Sequence, residues 1–211
     1  MNHNPAHNPY THPNQNQNPN PYPYPSTPHG AHPGHTSHPT PPKTSLRTTL
    51  LLTSTLLMGL MAGLFFAFDV SVMPGLSDGD NRTYITAMQN INAEIDGNGL
   101  FGMAFIFALL LPVASAIIEF RKGHRKVAVW TATAALAYFV VLLITFSVNI
   151  PLNNELAQLG NPAKVTDFSV VDSFKTTWVA TNIMRTLLCI TALTALSRSL
   201  MLYGRATPHH A

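Results

Sequence analysis

Residues 48–68 read TTLLLTSTLLMGLMAGLFFAF and carry no charged side chain between Arg47 and Asp69. A helix needs about 20 mostly apolar residues to cross a hydrocarbon layer about 30 Å thick. Three similar stretches follow at residues 97–118, 127–154 and 176–197, and Arg185 is the one charged residue inside them. The sequence therefore predicts an all-α protein, a four-helix transmembrane bundle with spans at about 48–72, 98–119, 127–152 and 176–200.

The first 44 residues differ in composition from the rest of the chain. They hold 12 of the 17 prolines and 7 of the 10 histidines, and they contain no aliphatic run. Proline removes backbone donors and interrupts helices, and a segment without apolar side chains cannot bury enough surface to fold. We therefore expect residues 1–44 to form a disordered Pro/His/Asn-rich tail and residues 45–205 to form the membrane domain.

Basic residues beside the spans predict the orientation of the bundle. One end has eight of the twelve: Lys43, Arg47, Arg121, Lys122, Arg125, Lys126, Arg198 and Arg205. The loops at the other end have Arg82, Lys164 and Lys175. Because Lys and Arg concentrate in cytoplasmic loops, we expect a multi-pass protein of the cell membrane with both termini in the cytoplasm.

Several classes of function are disfavoured by what the chain lacks. The basic residues do not interleave with aromatic ones, so no nucleic-acid partner is expected. Cys189 is the single cysteine, which excludes an internal disulfide and a cysteine zinc site. The spans contain no histidine and the chain has no nucleotide-binding fingerprint, so no metal and no cofactor is predicted.

The first outer loop is patterned like a helix. Its apolar residues at positions 84, 88, 91 and 95 recur at helical spacing and predict a short amphipathic helix. Gln89 and Asn92, three residues apart, share one face of that helix.

The fourth span contains the most informative polar residues. Trp178, Asn182 and Arg185 are spaced four and three residues apart, so they form one stripe on a helix. A charge near the bilayer centre costs about 2.5–3.5 kcal/mol and normally faces protein or water. The stripe could be a functional site or a purely structural amide or salt-bridge cluster, and the residues alone leave both open.

A second polar group ends the third span. Asn149 and Asn153 flank Pro151, which frees a backbone carbonyl, and Asn154 and Glu155 follow at once. Asp69 ends the first apolar run. Asp69 and Glu155 are alternative counter-ions for Arg185.

With these residues in view, the chain resembles the anthrone-oxygenase-like family of small membrane proteins. The matching motifs are Gly59-x-x-x-Gly63, Val72-Met73-Pro74-x-Leu76, Met88-Gln89-x-Ile91-Asn92, Asn149-Ile150-Pro151-Leu152-Asn153-Asn154-x-Leu156 and Trp178-x-x-x-Asn182-x-x-Arg185. The resemblance covers about residues 48–200. The glycine pair predicts close helix packing.

The resemblance implies a four-helix membrane bundle and, in part of the family, oxidation of an anthrone to an anthraquinone by dioxygen without a dedicated cofactor. Fitted to that chemistry, Arg185, Asn182 and Asn153 are the predicted donors to the oxyanion, and Asp69 or Glu155 is the predicted base. Trp178 offers a stacking face for the substrate. The further candidates for substrate binding are Asn149, Asn154, Gln89 and Asn92.

The residues leave open whether the chain is an enzyme. The main alternative is a non-enzymatic membrane protein that binds a lipid or a partner subunit, with a structural polar cluster. A solute carrier is disfavoured because four helices without an inverted repeat offer little to alternate. The expected partners are membrane lipids and a hydrophobic aromatic small molecule, and the oligomeric state is not predicted.

Overall fold

The computed structural model describes residues 45–206, which belong to one compact unit. The predicted tail lies in residues 1–44, outside the described residues. Over the described range the chain is helical and has no strand. The helices are α1 (Leu46–Ser77), α2 (Asn81–Gly97), α3 (Gly99–Arg121), α4 (Arg125–Gln158) and α5 (Ser169–Ala206), with a short 3₁₀ turn at Pro162–Lys164.

All of these helices except α2 are long and apolar enough to cross a membrane. The predicted all-α bundle with four spanning helices is confirmed, and the chain is a multi-pass membrane protein. Three of the spanning helices, α1, α4 and α5, continue beyond the predicted spans at the end that carries α2. Because of these extra turns, polar residues that the sequence predicts in loops lie on helices.

The spanning helices pack in a ring. Helices α3 and α5 each pack against both α1 and α4, and the side chains between them form the membrane core. The predicted close packing through the glycine pair is wrong for Gly63 within this chain. A Cβ atom at Gly63 would meet nothing within 4 Å, because Gly63 lies on the outer surface of α1, whereas one at Gly59 would lie 4.0 Å from Leu193 Cδ1 on α5.

Helix α2 lies across one end of the bundle, as its amphipathic pattern predicts. Tyr84, Ile85 and Met88 have no exposed surface and belong to a second core cluster with Leu156 and Phe174. Each fully buried large apolar side chain contributes about 1.5–3 kcal/mol. This packing fixes α2 as a cap on the bundle.

Two side-chain caps set where α2 and α3 begin. The Asp80 carboxylate accepts hydrogen bonds from the backbone N–H groups of Arg82 and Thr83. The Asn98 side-chain oxygen accepts from the N–H groups of Leu100 and Phe101, so α3 begins directly after α2 ends. The short α2–α3 connection therefore stays at the same end of the bundle as the polar ends of α4 and α5.

Candidate functional site

Three of the spanning helices widen into a π-helical turn near the α2 end. The turns are Phe68–Val72 in α1, Thr145–Asn149 in α4 and Phe174–Trp178 in α5. Pro74 and Pro151 follow the first two turns, and a proline ring crowds the carbonyl four residues before it. The wider turn relieves that crowding without ending the helix, and such turns are frequent at functional sites.

A cavity of about 330 Å³ lies beside these turns, within the size range of small-molecule sites. Its aromatic lining consists of Phe65, Phe68, Phe101, Phe105, Phe146 and Trp178. Its polar lining consists of Asn92, Asp96, Asn98, Thr145, Asn149, Asn153, Asn182 and Arg185. The remaining lining is aliphatic or glycine, so the cavity is mostly apolar with a small number of polar groups.

Arg185 is buried at the cavity wall and forms no salt bridge among the described residues. Its Nη2 donates to Asn182 Oδ1 at 2.7 Å and its Nη1 donates to Thr145 Oγ1 at 3.2 Å. The guanidinium carbon lies 4.5 Å from the ring centre of Phe65 and 5.3 Å from that of Trp178. Neutral acceptors and aromatic faces therefore hold this cation, which leaves its charge uncompensated by direct contact.

Asp69 contacts Arg185 indirectly, through Asn182. The Asn182 Nδ2 donates to Asp69 Oδ1 and to the Phe65 carbonyl at 2.9 Å, while Thr186 Oγ1 donates to Asp69 Oδ2. Because both amide hydrogens of Asn182 are engaged, its oxygen is fixed toward Arg185. Asp69 does not line the cavity. It fixes the orientation of Asn182, which in turn accepts a hydrogen bond from the Arg185 guanidinium.

Asn149, Asn153 and Trp178 form a second linked group. The Asn149 Nδ2 donates to Thr181 Oγ1 at 3.0 Å and to the Trp178 carbonyl at 3.4 Å. The indole Nε1 of Trp178 donates to Asn153 Oδ1 at 2.9 Å, and the indole stacks on Phe174 with a centroid distance of 5.4 Å. The indole is thus fixed in position and orientation at the cavity wall.

Buried polar atoms without a partner concentrate at this cavity. Among the described residues five such side-chain atoms occur, and three of them belong to cavity-lining residues: Arg185 Nε, Asn149 Oδ1 and Asn92 Nδ2. An unsatisfied buried polar group costs about 1–3 kcal/mol. Two donors and one acceptor in an aromatic cavity match a ligand that carries its own acceptor and donor.

The structure brings together six of the ten predicted site residues. Arg185, Asn182, Asn153, Asn149, Trp178 and Asn92 line the cavity. Asp69 lies behind Asn182. Asn154 and Glu155 are exposed and outside the lining, and Gln89 donates to the carbonyls of Leu156 and Gly160, which ties α2 to α4.

Sequence reasoning missed Asp96, Asn98 and Thr145 at the cavity. Asp96 is its one lining carboxylate, at the end of α2, and Asn98 caps α3. They lie four and six residues after the motif that ends at Asn92, and this proximity was the available signal. Thr145 gives no signal, because a threonine in an apolar helix normally bonds only to its own backbone, as Thr145 Oγ1 also does with Val141.

A second polar cluster at the opposite end of the bundle was also missed. Glu119 has no exposed surface and accepts from Arg47 Nε at 2.8 Å and Arg47 Nη2 at 2.5 Å. The His124 Nδ1 lies 2.9 Å from the same carboxylate, and the Arg47 guanidinium stacks on the Tyr203 ring at 4.8 Å. This cluster joins α1, α3, the α3–α4 connection and α5.

Three groups outside the spanning helices have shifted pKa values. Hydrogen bonds from the Thr83 side chain and backbone lower the pKa of Asp80, and burial raises the pKa of Tyr84. Hydrogen bonds from the Ser169 backbone and side chain lower the pKa of Asp167. Over residues 45–206 no group of three His, Cys, Asp or Glu side chains is placed to hold a metal ion.

The comparison with known families agrees with these motifs. The family model for anthrone oxygenase matches residues 95–195, a range that contains α3, α4, the beginning of the cavity at Asp96 and the stripe of Trp178, Asn182 and Arg185. No curated protein and no solved structure matches the chain. The match confirms the resemblance that the motifs predict: over residues 95–195 the chain is similar to the anthrone oxygenase family.

Proposed function

We propose that the chain oxidises a flat, hydrophobic phenolic ketone of anthrone type with dioxygen. The observation that carries this proposal is the set of three unpartnered polar atoms in an aromatic cavity. The Nε–H of Arg185 and the amide of Asn92 can donate to a carbonyl or oxyanion, and Asn149 Oδ1 can accept from a phenolic hydroxyl. The aromatic lining suits a planar ring system.

The proposed reaction requires no redox group from the protein. The methylene carbon of the anthrone loses a proton, and the negative charge moves to the carbonyl oxygen. The anion gives one electron to dioxygen, and the resulting carbon radical and superoxide combine at the same carbon to a peroxide anion. The peroxide takes back one proton and becomes a hydroperoxide. Loss of water from the hydroperoxide leaves a second carbonyl, so one anthrone and one dioxygen give one anthraquinone and one water.

The lining residues supply the two functions that this reaction needs. Arg185, with its unpaired Nε–H, stabilises the oxyanion as it forms, which lowers the barrier to losing the proton. Asp96 is favoured as the base over Asp69 and Glu155, since it is the carboxylate that lines the cavity. Asp69 is a positioning residue, because both of its oxygens accept hydrogen bonds from α5.

The distribution of charge supports a place in the cell membrane with both termini in the cytoplasm. Arg47, Arg121, Arg125 and Arg205 lie at the end of the bundle that carries Glu119, away from α2 and the cavity. By the positive-inside rule the cavity then opens in the outer half of the bilayer.

Oxygen uptake tests the proposed reaction. The purified full-length protein in detergent receives 1,8-dihydroxyanthrone, and oxygen consumption is compared with the appearance of the quinone absorbance. Gly102 lines the cavity with free space beside its Cα, so Gly102→Leu should fill the cavity and abolish turnover. Gly63→Leu is the matched control on the outer surface of α1, where the added side chain meets nothing, and it should keep turnover.

Each result has one interpretation. One oxygen consumed for each quinone formed, lost in Gly102→Leu and kept in Gly63→Leu, supports an oxygenase at this cavity. Binding of the anthrone without oxygen uptake overturns the reaction and favours the non-enzymatic alternative.

A further inference from the structure

Part of the cavity lining lies on the outer surface of the bundle. Ile106 on α3 and Phe146 in the π-turn of α4 both line the cavity, yet 45% of Ile106 and 57% of Phe146 is exposed. Between the cavity and the surroundings the wall is therefore at most one side chain thick at these two residues. The cavity reaches the outer surface of the bundle between α3 and α4; we call this place, bounded by Ile106 and Phe146, the α3–α4 opening.

The opening begins where the packing of α3 and α4 ends. On α4 the contact with α3 lies deeper than Phe146: Tyr138, eight residues earlier in the chain, donates to the Phe105 carbonyl at 3.1 Å, and the two rings lie 6.0 Å apart. Toward α2, the π-turn widens α4, and α3 presents Gly99 and Gly102, beside which a Cβ atom would meet nothing within 4 Å. The gap thus has a local cause in both helices.

The opening has an apolar side and a polar end. Ile106 lies about 10 Å along α3 from Gly99, at about 1.5 Å per residue, and so well inside the apolar part of the helix. Asp96 and Asn98, at the α2–α3 connection, are exposed and line the cavity at its polar end. A bilayer would therefore place acyl chains beside Ile106 and Phe146, and headgroups beside Asp96.

We propose that the substrate enters sideways from the bilayer through the α3–α4 opening. This inference rests on the proposed function for its substrate class, a planar aromatic molecule that dissolves in lipid and has polar groups along one edge. Such a molecule can slide between Ile106 and Phe146 without leaving an apolar medium, and its polar edge then meets Arg185, Asn149 and Asn92. A substrate that entered from water would first have to leave the bilayer and expose its whole apolar ring system to water.

A removable obstruction of the opening tests this route. In the Trp130→Phe background Trp178, a lining residue, is the single remaining tryptophan and reports binding by fluorescence. Phe146→Cys is labelled in liposomes with an adamantyl maleimide, and 1,8-dihydroxyanthrone is supplied from the lipid under argon. The native Cys189 has no exposed surface and should stay unlabelled. Leu143→Cys, half exposed on α4 outside the lining, is the matched control.

Compared with unlabelled Phe146→Cys, which has already lost the lining ring, the labelled variant should have lower association and dissociation rates, each by at least about tenfold, because the label blocks the route. The label at position 143 should leave both rates within about twofold. Unchanged rates for labelled Phe146→Cys, weaker affinity without slower dissociation, or no binding in any variant would overturn the proposal. Route-dependent binding without oxygen uptake would keep the opening and overturn only the proposed reaction.

Discussion

Two clusters at opposite ends of the bundle each contain an arginine, and the two arginines have different kinds of partner. Arg47 donates twice to Glu119 and stacks on Tyr203, so its charge is neutralised by direct contact. Arg185 donates only to the neutral Asn182 and Thr145, keeps its Nε unpaired, and lies at a cavity. Eighteen residues of α5 separate Arg185 from Tyr203, about 27 Å along the helix.

The difference distinguishes a cluster that holds helices together from one prepared for a ligand. Breaking a buried ion pair is costly because the remaining charge is left without a partner. The arginine at the cavity already has no ionic partner, and its carboxylate is one residue removed, behind Asn182. The cavity cluster therefore has an arginine charge that a ligand can still neutralise, whereas the charge of Arg47 is already neutralised by Glu119.

The largest expected effect is on turnover at the cavity. Arg185→Met should lower kcat for 1,8-dihydroxyanthrone by about 100- to 1000-fold, the loss typical of removing an oxyanion donor. The membrane-inserted protein should stay folded, because methionine fills the volume between Phe65 and Trp178. Quinone absorbance measures kcat, and circular dichroism checks the fold. Arg198→Met, on the same helix outside the cavity lining, is the control and should leave kcat unchanged.

Loss of folded protein in Arg185→Met, with normal kcat in the molecules that remain folded, would contradict the difference proposed between the two clusters. The Arg185 cluster would then be structural, like the one at Arg47.

The second effect is on stability at the other end. Glu119→Gln should lower the free energy of unfolding by about 3 kcal/mol, near the low end for a broken buried pair because Arg47 is partly exposed. Turnover per folded molecule should not change. Thermal unfolding in detergent measures the loss, and Glu94→Gln, an exposed carboxylate on α2, is the control. A fall in kcat with unchanged stability would mean that the two ends are coupled.

The spanning helices could be predicted from sequence, whereas the cavity could be predicted only in part. A run without charges fixes a span by its length, and the spacing of Tyr84 and Met88 fixes α2 by its period. The stripe of Trp178, Asn182 and Arg185 likewise follows from helical spacing. These features depend on residues close together in the chain.

What could not be predicted depends on pairs far apart in the chain and on local widening of helices. Arg47 and Glu119 are 72 residues apart, so nothing in the sequence joins them. Pro74 and Pro151 hint at two of the π-turns, but no proline follows the third at Phe174–Trp178. The sequence predicts Asp96 as a loop residue. Its position at the cavity follows only from the structure, in which α3 begins directly after α2 ends.

A smaller effect concerns the unpaired donor of Asn92. Asn92→Ala should weaken binding of 1,8-dihydroxyanthrone by about 3- to 10-fold, the worth of one hydrogen bond, and should not lower stability without ligand. Removing a buried group that has no partner in the free protein costs nothing there. Titration of Trp178 fluorescence in the Trp130→Phe background measures the affinity, with the exposed Asn90→Ala on the same helix as control. Equal affinities for the two variants would remove Asn92 from the site.

The smallest expected effect is a pH dependence in the stability of the first turn of α2, at the end of the bundle that carries the cavity. Hydrogen bonds from Thr83 to Asp80 lower the pKa of this capping carboxyl below its unfolded value. The carboxylate therefore stabilises the start of α2 at neutral pH, and that stabilisation is lost as the pH falls through the folded-state pKa. Hydrogen exchange of the first turn of α2 should quicken over that range in the natural chain. In Asp80→Asn, whose neutral amide oxygen can still accept from the backbone, exchange of this turn should lose this contribution to its pH dependence. A response that is the same in both proteins would mean that another group governs how firmly α2 covers the cavity.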